Sequence, residues 1–404
     1  IPKDVLASRT PQPDVGDRAP AQPPALPADA VAEAADLLAD AAAPVVLAGG
    51  GVRRSGASEA LRSVAETLDA PVATTYKGKG TLPETHPLSA GVLCGGASAD
   101  LRDLLAGADV GLVLGSDLDA VATASWSVTM PESLIHVTLD GDDVGFGYET
   151  DLGVVADADR FLRALDERLD GPPARAAESP RARPGAARAK AVREADRERF
   201  AALSADRGAD HPLRSVEVLS AVRDALPEEA VVTADAGGFR LWTLVSFPAS
   251  GPRSYVNPGS WATMGTGLPS AIGAKLANPD RDVVALTGDG GLMMCVHELH
   301  TLAAEGIDVT VVALNNDDYA IISEEAARSY EFTEGAYGWA ETGLDLVAVA
   351  SGMGLPAERV RERDAVGDAI ERARERDGPA LVEVVTDPGE PQASEWMTGP
   401  RPDE

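Results

Sequence analysis

Short apolar runs rich in β-branched residues alternate along this chain with stretches whose apolar positions recur every three or four residues, and glycines stand at most of the changeovers. That alternation predicts strands buried on both faces and joined by helices, the pattern of an α/β fold built from doubly wound parallel sheets. It is sharpest over residues 282–318. Positions 283–286 form a strand-like run cut off by Gly288, Gly290 and Gly291, after which Leu292, Val296, Leu299 and Ala303 carry the spacing of one helix. Gly306 closes that helix as a C′ glycine would, and 309–314 supply a second buried strand ending at Asn315 and Asn316.

The same alternation divides the chain into two such domains. Residues 11–28 are rich in proline and lack periodicity, which predicts a linker. Helical spacing at Val31, Ala34, Ala35 and Leu38 then leads into a strand over 44–48, closed by Gly49, Gly50 and Gly51. A helix through Leu61, Val64, Ala65 and Leu68 follows, with strands over 71–74, 110–114, 134–139 and 152–155, so a first α/β domain is expected over 29–169. Residues 170–210, dense in Pro, Ala and Arg, read as a second linker with one solvated helix over 186–204. A second α/β domain is expected over 211–390, with a helix through Val216, Leu219, Val222 and Leu226, a strand over 230–233, a helix over 344–351 and a closing strand over 378–384. Residues 391–404 are left as a tail.

Candidate chemistry gathers on the 282–318 unit. A right-handed crossover returns the chain to the same edge of a parallel sheet, so Asp289 and Asn316 are expected at neighbouring strand ends, with strands about 4.8 Å apart. A carboxylate and an amide oxygen are hard ligands suited to Mg²⁺, and a glycine turn opening a helix leaves N–H groups for phosphate. A glycine turn alone fits any doubly wound α/β protein. The added acid, the 27-residue interval and the asparagine pair favour a metal-bridged diphosphate.

Composition narrows the partners. The 404 residues carry 35 Lys and Arg against 65 Asp and Glu, a net charge of −30, and lysine stands only at positions 3, 77, 79, 190 and 275. Self-repulsion on this scale strains a compact fold at low salt and is screened by concentrated salt, which predicts a surface adapted to high salt. There is no basic excess to displace counterions, so nucleic acid is not an expected partner. No apolar run approaches the ~20 residues of a membrane span and no signal peptide is visible, so a soluble cytoplasmic protein is expected. Cys94 and Cys295, the two cysteines, sit in no CxxC pattern and are expected as small buried residues.

Three stretches carry a resemblance to a known family. The GDG of 288–290 followed by the asparagine pair, the GKG/PE/HP series of 78–91 and the stretch Trp261 to Lys275 resemble the thiamine diphosphate (ThDP) enzymes, and most closely the acetolactate synthase large subunits. His136 and Asp140 fall in a strand similar to one of that family's central domain, where His86 and His136 are expected to be structural. The resemblance implies a central domain followed by a diphosphate-binding domain. It also implies cofactor contacts from Gly237, Ala262, Met264, Gly288, Asp289, Gly290, Gly291 and Asn316, with Mg²⁺ held by Asp289, Asn316 and the carbonyl of Asp318. Met264 is the residue implied to bend the coenzyme, the catalytic role carried over here.

The departures are as informative. Gly238 and Phe239 replace a Gln and a His that help to hold the diphosphate in the family, and Glu324 and Glu325 replace a Gln-Trp pair that shapes the acceptor pocket. In acetolactate synthases the central domain carries FAD; here Asp117 and Asp119 stand where the family has an arginine nearby, which weighs against a flavin. Residues 1–10 resemble the end of the family's pyrimidine-binding domain, with the first residues continuing a strand, and no position matches the glutamate which that domain supplies. The chain is therefore expected to hold Mg²⁺ and the diphosphate end but not to turn over alone, its site being completed by a homo-oligomer or by a separate pyrimidine-binding chain. Three functions stay open: a carboligase converting pyruvate to 2-acetolactate for branched-chain amino acid biosynthesis, a 2-oxo acid decarboxylase, and a non-catalytic cofactor-binding subunit.

Overall fold

A computed structural model describes residues 2–9, 11, 22–169, 184–204, 211–330 and 337–399. They form two six-stranded, wholly parallel sheets. The first contains β1 (Val45–Ala48), β2 (Val72–Thr75), β3 (Ser89–Leu93), β4 (Val110–Leu114), β5 (Ser133–Thr138) and β6 (Leu152–Val155), in the order 3-2-1-4-5-6. The second contains β7 (Val231–Ala234), β8 (Tyr255–Val256), β9 (Val283–Gly288), β10 (Thr310–Asn315), β11 (Ala357–Val360) and β12 (Ala380–Val385), in the order 11-12-10-9-7-8.

Both sheets are covered on both faces, which is why their strands read as unbroken apolar runs. In the second sheet Val232, Val284, Leu286, Val312 and Val382 face one core while Val231, Val283, Ala285, Val311 and Leu381 face the other. The first sheet reverses its winding once, between β1 and β4; the second reverses between β7 and β9 and again where β12 returns to lie between β11 and β10. A crevice opens outside the carboxyl ends of the strands at such a reversal.

Several expectations are corrected. The helix expected from Leu292 is two, Asp289–Met294 and Glu298–Glu305, parted at Cys295–His297 by a tightened turn in which Cys295 N donates to Leu292 O (3.1 Å) and Glu298 N to Cys295 O (2.9 Å). Residues 3–7 do not continue a strand but form the helix Lys3–Ala7. The helix expected as solvated, Gly185–Ser204, buries Ala189, Val192, Ala195, Arg199 and Leu203 along one face and packs against β3 and against helices of both domains. Its alanine-rich stripe carries too little hydrophobic contrast to announce burial. The expected tail contains the helix Ala393–Thr398, with Ala393 and Met397 buried. Expectations for residues 1, 10, 12–21, 170–183, 205–210, 331–336 and 400–404 concern positions outside the described residues.

The GKG/PE signature is a seam between the sheets. Lys79, 2% exposed, donates to both carboxylate oxygens of Glu84 (2.7 Å each) and to Leu244 O (3.0 Å), and lies 5.3 Å from the Tyr255 ring centre. Glu84 N donates to Ala249 O (2.9 Å). Gly80 has φ +84°, and a Cβ there would stand 2.9 Å from Gly251 O. His136 is buried with Nε2 2.7 Å from Ser116 O, and His86 Nε2 lies 3.1 Å from Glu66, so both are structural. Cys94 and Cys295 are buried free thiols.

Candidate functional site

The register of the second sheet sets the site. Leu314 of β10 lies opposite Gly288 of β9, so Asp289 and the Asn315–Asn316 pair leave neighbouring strands side by side. Asp289 is 3% exposed. Its Oδ1 accepts from Gly290 N (2.7 Å), and its Oδ2 accepts from Asn316 N (3.2 Å) and Asp317 N (2.8 Å). Burial pushes this carboxyl up to about 7, against the three amides, which favour the charged form. Asp317 pays for the tight approach with φ +57°, a conformation that aspartate tolerates better than most residues.

The two asparagines part company. Asn316 faces the cavity, with its Oδ1 accepting from Asp318 N (3.3 Å). Asn315 turns inward and donates to buried Glu383 (2.8 Å), which Arg359 also holds at 2.9 Å. The side chain of Asp318 accepts from Ser323 Oγ (2.6 Å), so this residue reaches the cavity with its carboxylate already tied to the next helix.

Asp235, at the end of β7, organises the opposite wall. Fully buried, it accepts from Gly265 N (3.1 Å), Thr266 N (3.2 Å) and Thr287 Oγ1 (3.1 Å), and so clamps the loop bearing Met264 to the end of β9. Sequence reasoning missed this role, although an acid directly after a strand and two residues before a glycine was the available signal. Two glycines are demanded by close packing: a Cβ on Gly290 would stand 2.3 Å from the Tyr319 ring, and one on Gly291 would stand 2.8 Å from Asp235 Oδ2. Gly237 leads into the helix Gly238–Ser246, while Ala262 (φ +47°) and half-buried Met264 come from the clamped loop.

These elements enclose a cavity of about 380 Å³ at the β7/β9 reversal. Every sequence-predicted site residue lines it: Gly237, Ala262, Met264, Gly288, Asp289, Gly290, Gly291, Asn316 and Asp318. So do three that the sequence reading passed over, Arg240, Tyr319 and Glu390. Glu324 lines it and accepts from Gln392, whereas Glu325 turns to Arg328 and Ser329 at the surface. Among the described residues no group of three or more His, Cys, Asp or Glu side chains is arranged to hold a metal by itself.

Residues 235–384 match the family model described as "Thiamine pyrophosphate enzyme, C-terminal TPP binding domain", and residues 31–165 match "Thiamine pyrophosphate enzyme, central domain". The chain belongs to the thiamine pyrophosphate enzymes. Among relatives in this family it is 31% identical over 392 residues to the acetolactate synthase isozyme 1 large subunit of Escherichia coli (strain K12), covering 96% of this chain and 66% of that protein. It is 30% identical over 368 residues to a probable acetolactate synthase large subunit of Methanococcus aeolicus, covering 89% and 60%. The chain thus spans 60–66% of the length of these relatives.

A second crevice, of about 320 Å³, opens at the β1/β4 reversal of the thiamine pyrophosphate enzyme central domain. Gly49 and Gly51 press on Gly115, with Gly51 N donating to Gly115 O at 2.8 Å, and a Cβ on Gly49 would stand 2.4 Å from that oxygen. Asp117, Asp140, Asp143 and Asp157 line the crevice against Lys77 and Arg54, and Lys77 is already held by Asp117 and Asp119 at 2.9 Å each. Burial, together with Asp117 and Asp140, raises the Asp143 carboxyl. Such a lining does not fit the diphosphate of a flavin dinucleotide.

Proposed function

We propose that this chain anchors ThDP through Mg²⁺ in an enzyme that decarboxylates a 2-oxo acid and joins the two-carbon remainder to a second oxo acid, in the manner of acetolactate synthase. The observation that carries the reading is Asp289: a buried acid met only by backbone N–H groups and opening onto a cavity beside Asn316. A divalent cation would supply the positive charge this carboxylate lacks, and Asp289, Asn316 and Asp318 offer only the hard oxygen donors that Mg²⁺ prefers. Bound there, the coenzyme supplies the nucleophilic carbon and the electron sink for loss of CO₂. The protein positions it: Asp289 and Asn316 grip the metal end, Asp235 fixes the Met264 loop, and the glycines at 290 and 291 let the backbone come close.

The pyrimidine end is assigned to another polypeptide surface, a second copy or a separate pyrimidine-binding chain. In support, Trp261, beside Ala262 in sequence, is 91% exposed, and Met294, against which Gly265 packs, is 51% exposed. Large apolar residues standing free at a site's edge mark an interaction surface. Glu324 favours a second reading, simple decarboxylation, because a carboxylate on the cavity wall repels an anionic acceptor. We assign no flavin to the central domain.

Calorimetric titration with ThDP tests the anchor: binding should require Mg²⁺ and vanish with chelator. Equal binding in both conditions would refute it. Once a pyrimidine-binding chain restores turnover, acetolactate as product supports the carboligase, and an aldehyde supports the decarboxylase.

A further inference from the structure

Among the described residues, Arg240 is the one Lys, Arg or His side chain on the wall of the main cavity, which it shares with the carboxylates of Asp289, Asp318, Glu324, Asp387 and Glu390. It is 8% exposed, and among the described residues no carboxylate lies within ion-pair distance of it. Its guanidinium donates through Nη2 to Gly259 O (2.9 Å) and stands 5.6 Å from the Tyr76 ring centre, while the enclosed Nε has no acceptor. A buried charge without a counter-charge is costly, and a guanidinium with unused N–H groups is built for a carboxylate or phosphate. In a chain of net charge −30 such a cation has few competitors for an incoming anion.

Two anions could meet it, the coenzyme's diphosphate and the substrate's carboxylate, and the topology separates them. Asp289 and Asn316 follow the central strands β9 and β10, whereas Gly259, on which Arg240 leans, follows the edge strand β8, beyond β7, and Tyr76 comes from the end of β2 in the other domain. Arg240 starts from the helix that follows β7, beside β9, but its guanidinium contacts Gly259 and the Tyr76 ring, and these turn it toward the interdomain end of the cavity. We propose that Arg240 is the binding residue for the carboxylate of the 2-oxo acid substrate. This rests on the ThDP reading for the identity of the substrate, but the anion site itself does not depend on the coenzyme.

Tryptophan fluorescence of the full chain, with Trp242 on the cavity wall, is titrated with pyruvate and with methyl pyruvate, which lacks the charge, both with and without ThDP and Mg²⁺. Wild type should bind pyruvate more tightly than the ester. Arg240→Gln should weaken pyruvate by about tenfold or more, the scale of a lost charge-assisted hydrogen bond, and leave the ester and ThDP within twofold. Arg240→Lys, which keeps the charge, should fall between, and unchanged melting of both variants separates the effect from misfolding. The proposal is overturned if Arg240→Gln leaves pyruvate binding unchanged, if wild type does not distinguish acid from ester, or if the loss falls on ThDP instead. Should ThDP fail to bind while discrimination between acid and ester persists, the coenzyme reading falls and the anion site stands.

Discussion

Asp289 is at once the capstone of a strand, an acceptor for three backbone amides and the proposed metal ligand, and these roles respond differently to one substitution. Asp289→Asn keeps the shape but turns an N–H₂ toward amides that need an acceptor, and it removes the charge that a cation requires. Changes one shell out from a metal cost about 10–100-fold in affinity, so loss of the ligand itself should exceed that in Mg²⁺-dependent ThDP binding by calorimetry, with the fold retained by circular dichroism. Undiminished binding would remove Asp289 from the site. Glu390 gives a pH test. Its carboxyl takes the N–H and O–H of Ser215 (2.7 and 2.5 Å), and burial raises it from 4.5 to about 7. A raised folded pKa contributes stability that is complete below 4.5 and lost as pH climbs to about 7. Glu390→Gln keeps both contacts, since the serine hydroxyl can accept as well as donate, and stays neutral. Its stability relative to wild type in urea unfolding should therefore rise across that window, by up to about 1.4 kcal/mol per pH unit, and then level; parallel curves would show that Glu390 ionises freely. Asp289 and Asn316 were legible in the sequence because each stands where a strand's apolar run stops. Asp235 and Arg240 were not, because their partners lie 19 to 52 residues further on or in the other domain.

At the level of elements, strand periodicity located nine of the twelve strands to within a few residues and missed three for different reasons. β3 follows the His86-Pro87 turn inside a stretch read for its motif, β8 is only two residues long (Tyr255–Val256), and β11 sets Glu358 and Arg359 side by side between Ala357 and Val360 and is only partly buried. What the pattern could not convey was how the two sheets meet, because the seam is polar. Lys79 and Glu84 are sealed beneath Leu244 O and the Tyr255 ring, where burial pulls the ammonium down and pushes the carboxyl up, each opposed by its partner. Removing one member of a buried pair costs about 3–5 kcal/mol because the other is left uncompensated. Lys79→Met should lose stability on that scale in urea unfolding and separate the transitions of the two domains, while Lys79→Met with Glu84→Leu should recover part of the loss. If the single variant unfolds as wild type does, the pair does not hold the domains together.

For the whole molecule the question is which electrostatic sum wins. Exposed pairs such as Arg62–Glu59 and Arg372–Glu358 attract, but each such contact contributes only about 0–1 kcal/mol and is itself weakened by salt. The lysines have mostly been withdrawn from the surface into structural posts: Lys77 is held by two aspartates, Lys79 is buried in the seam, Lys275 is tied to Asp308 and Arg281 O, and Lys190, at 65% exposure beside Glu194, is the exposed one among those whose side chains are described. With 65 acids against 35 bases, repulsion has the larger count and the longer reach. Screening shortens that reach from about 30 Å at 0.01 M to about 3 Å at 1 M. The melting temperature should therefore rise steeply as KCl approaches about 1 M and more gently beyond it, where repulsion is already screened and only weaker salt effects on burial remain. Sorbitol at matched osmolality should not reproduce the steep part. A melting temperature indifferent to salt, or one that falls, would mean that the local ion pairs outweigh the net charge and that the acidic surface serves some purpose other than life in brine.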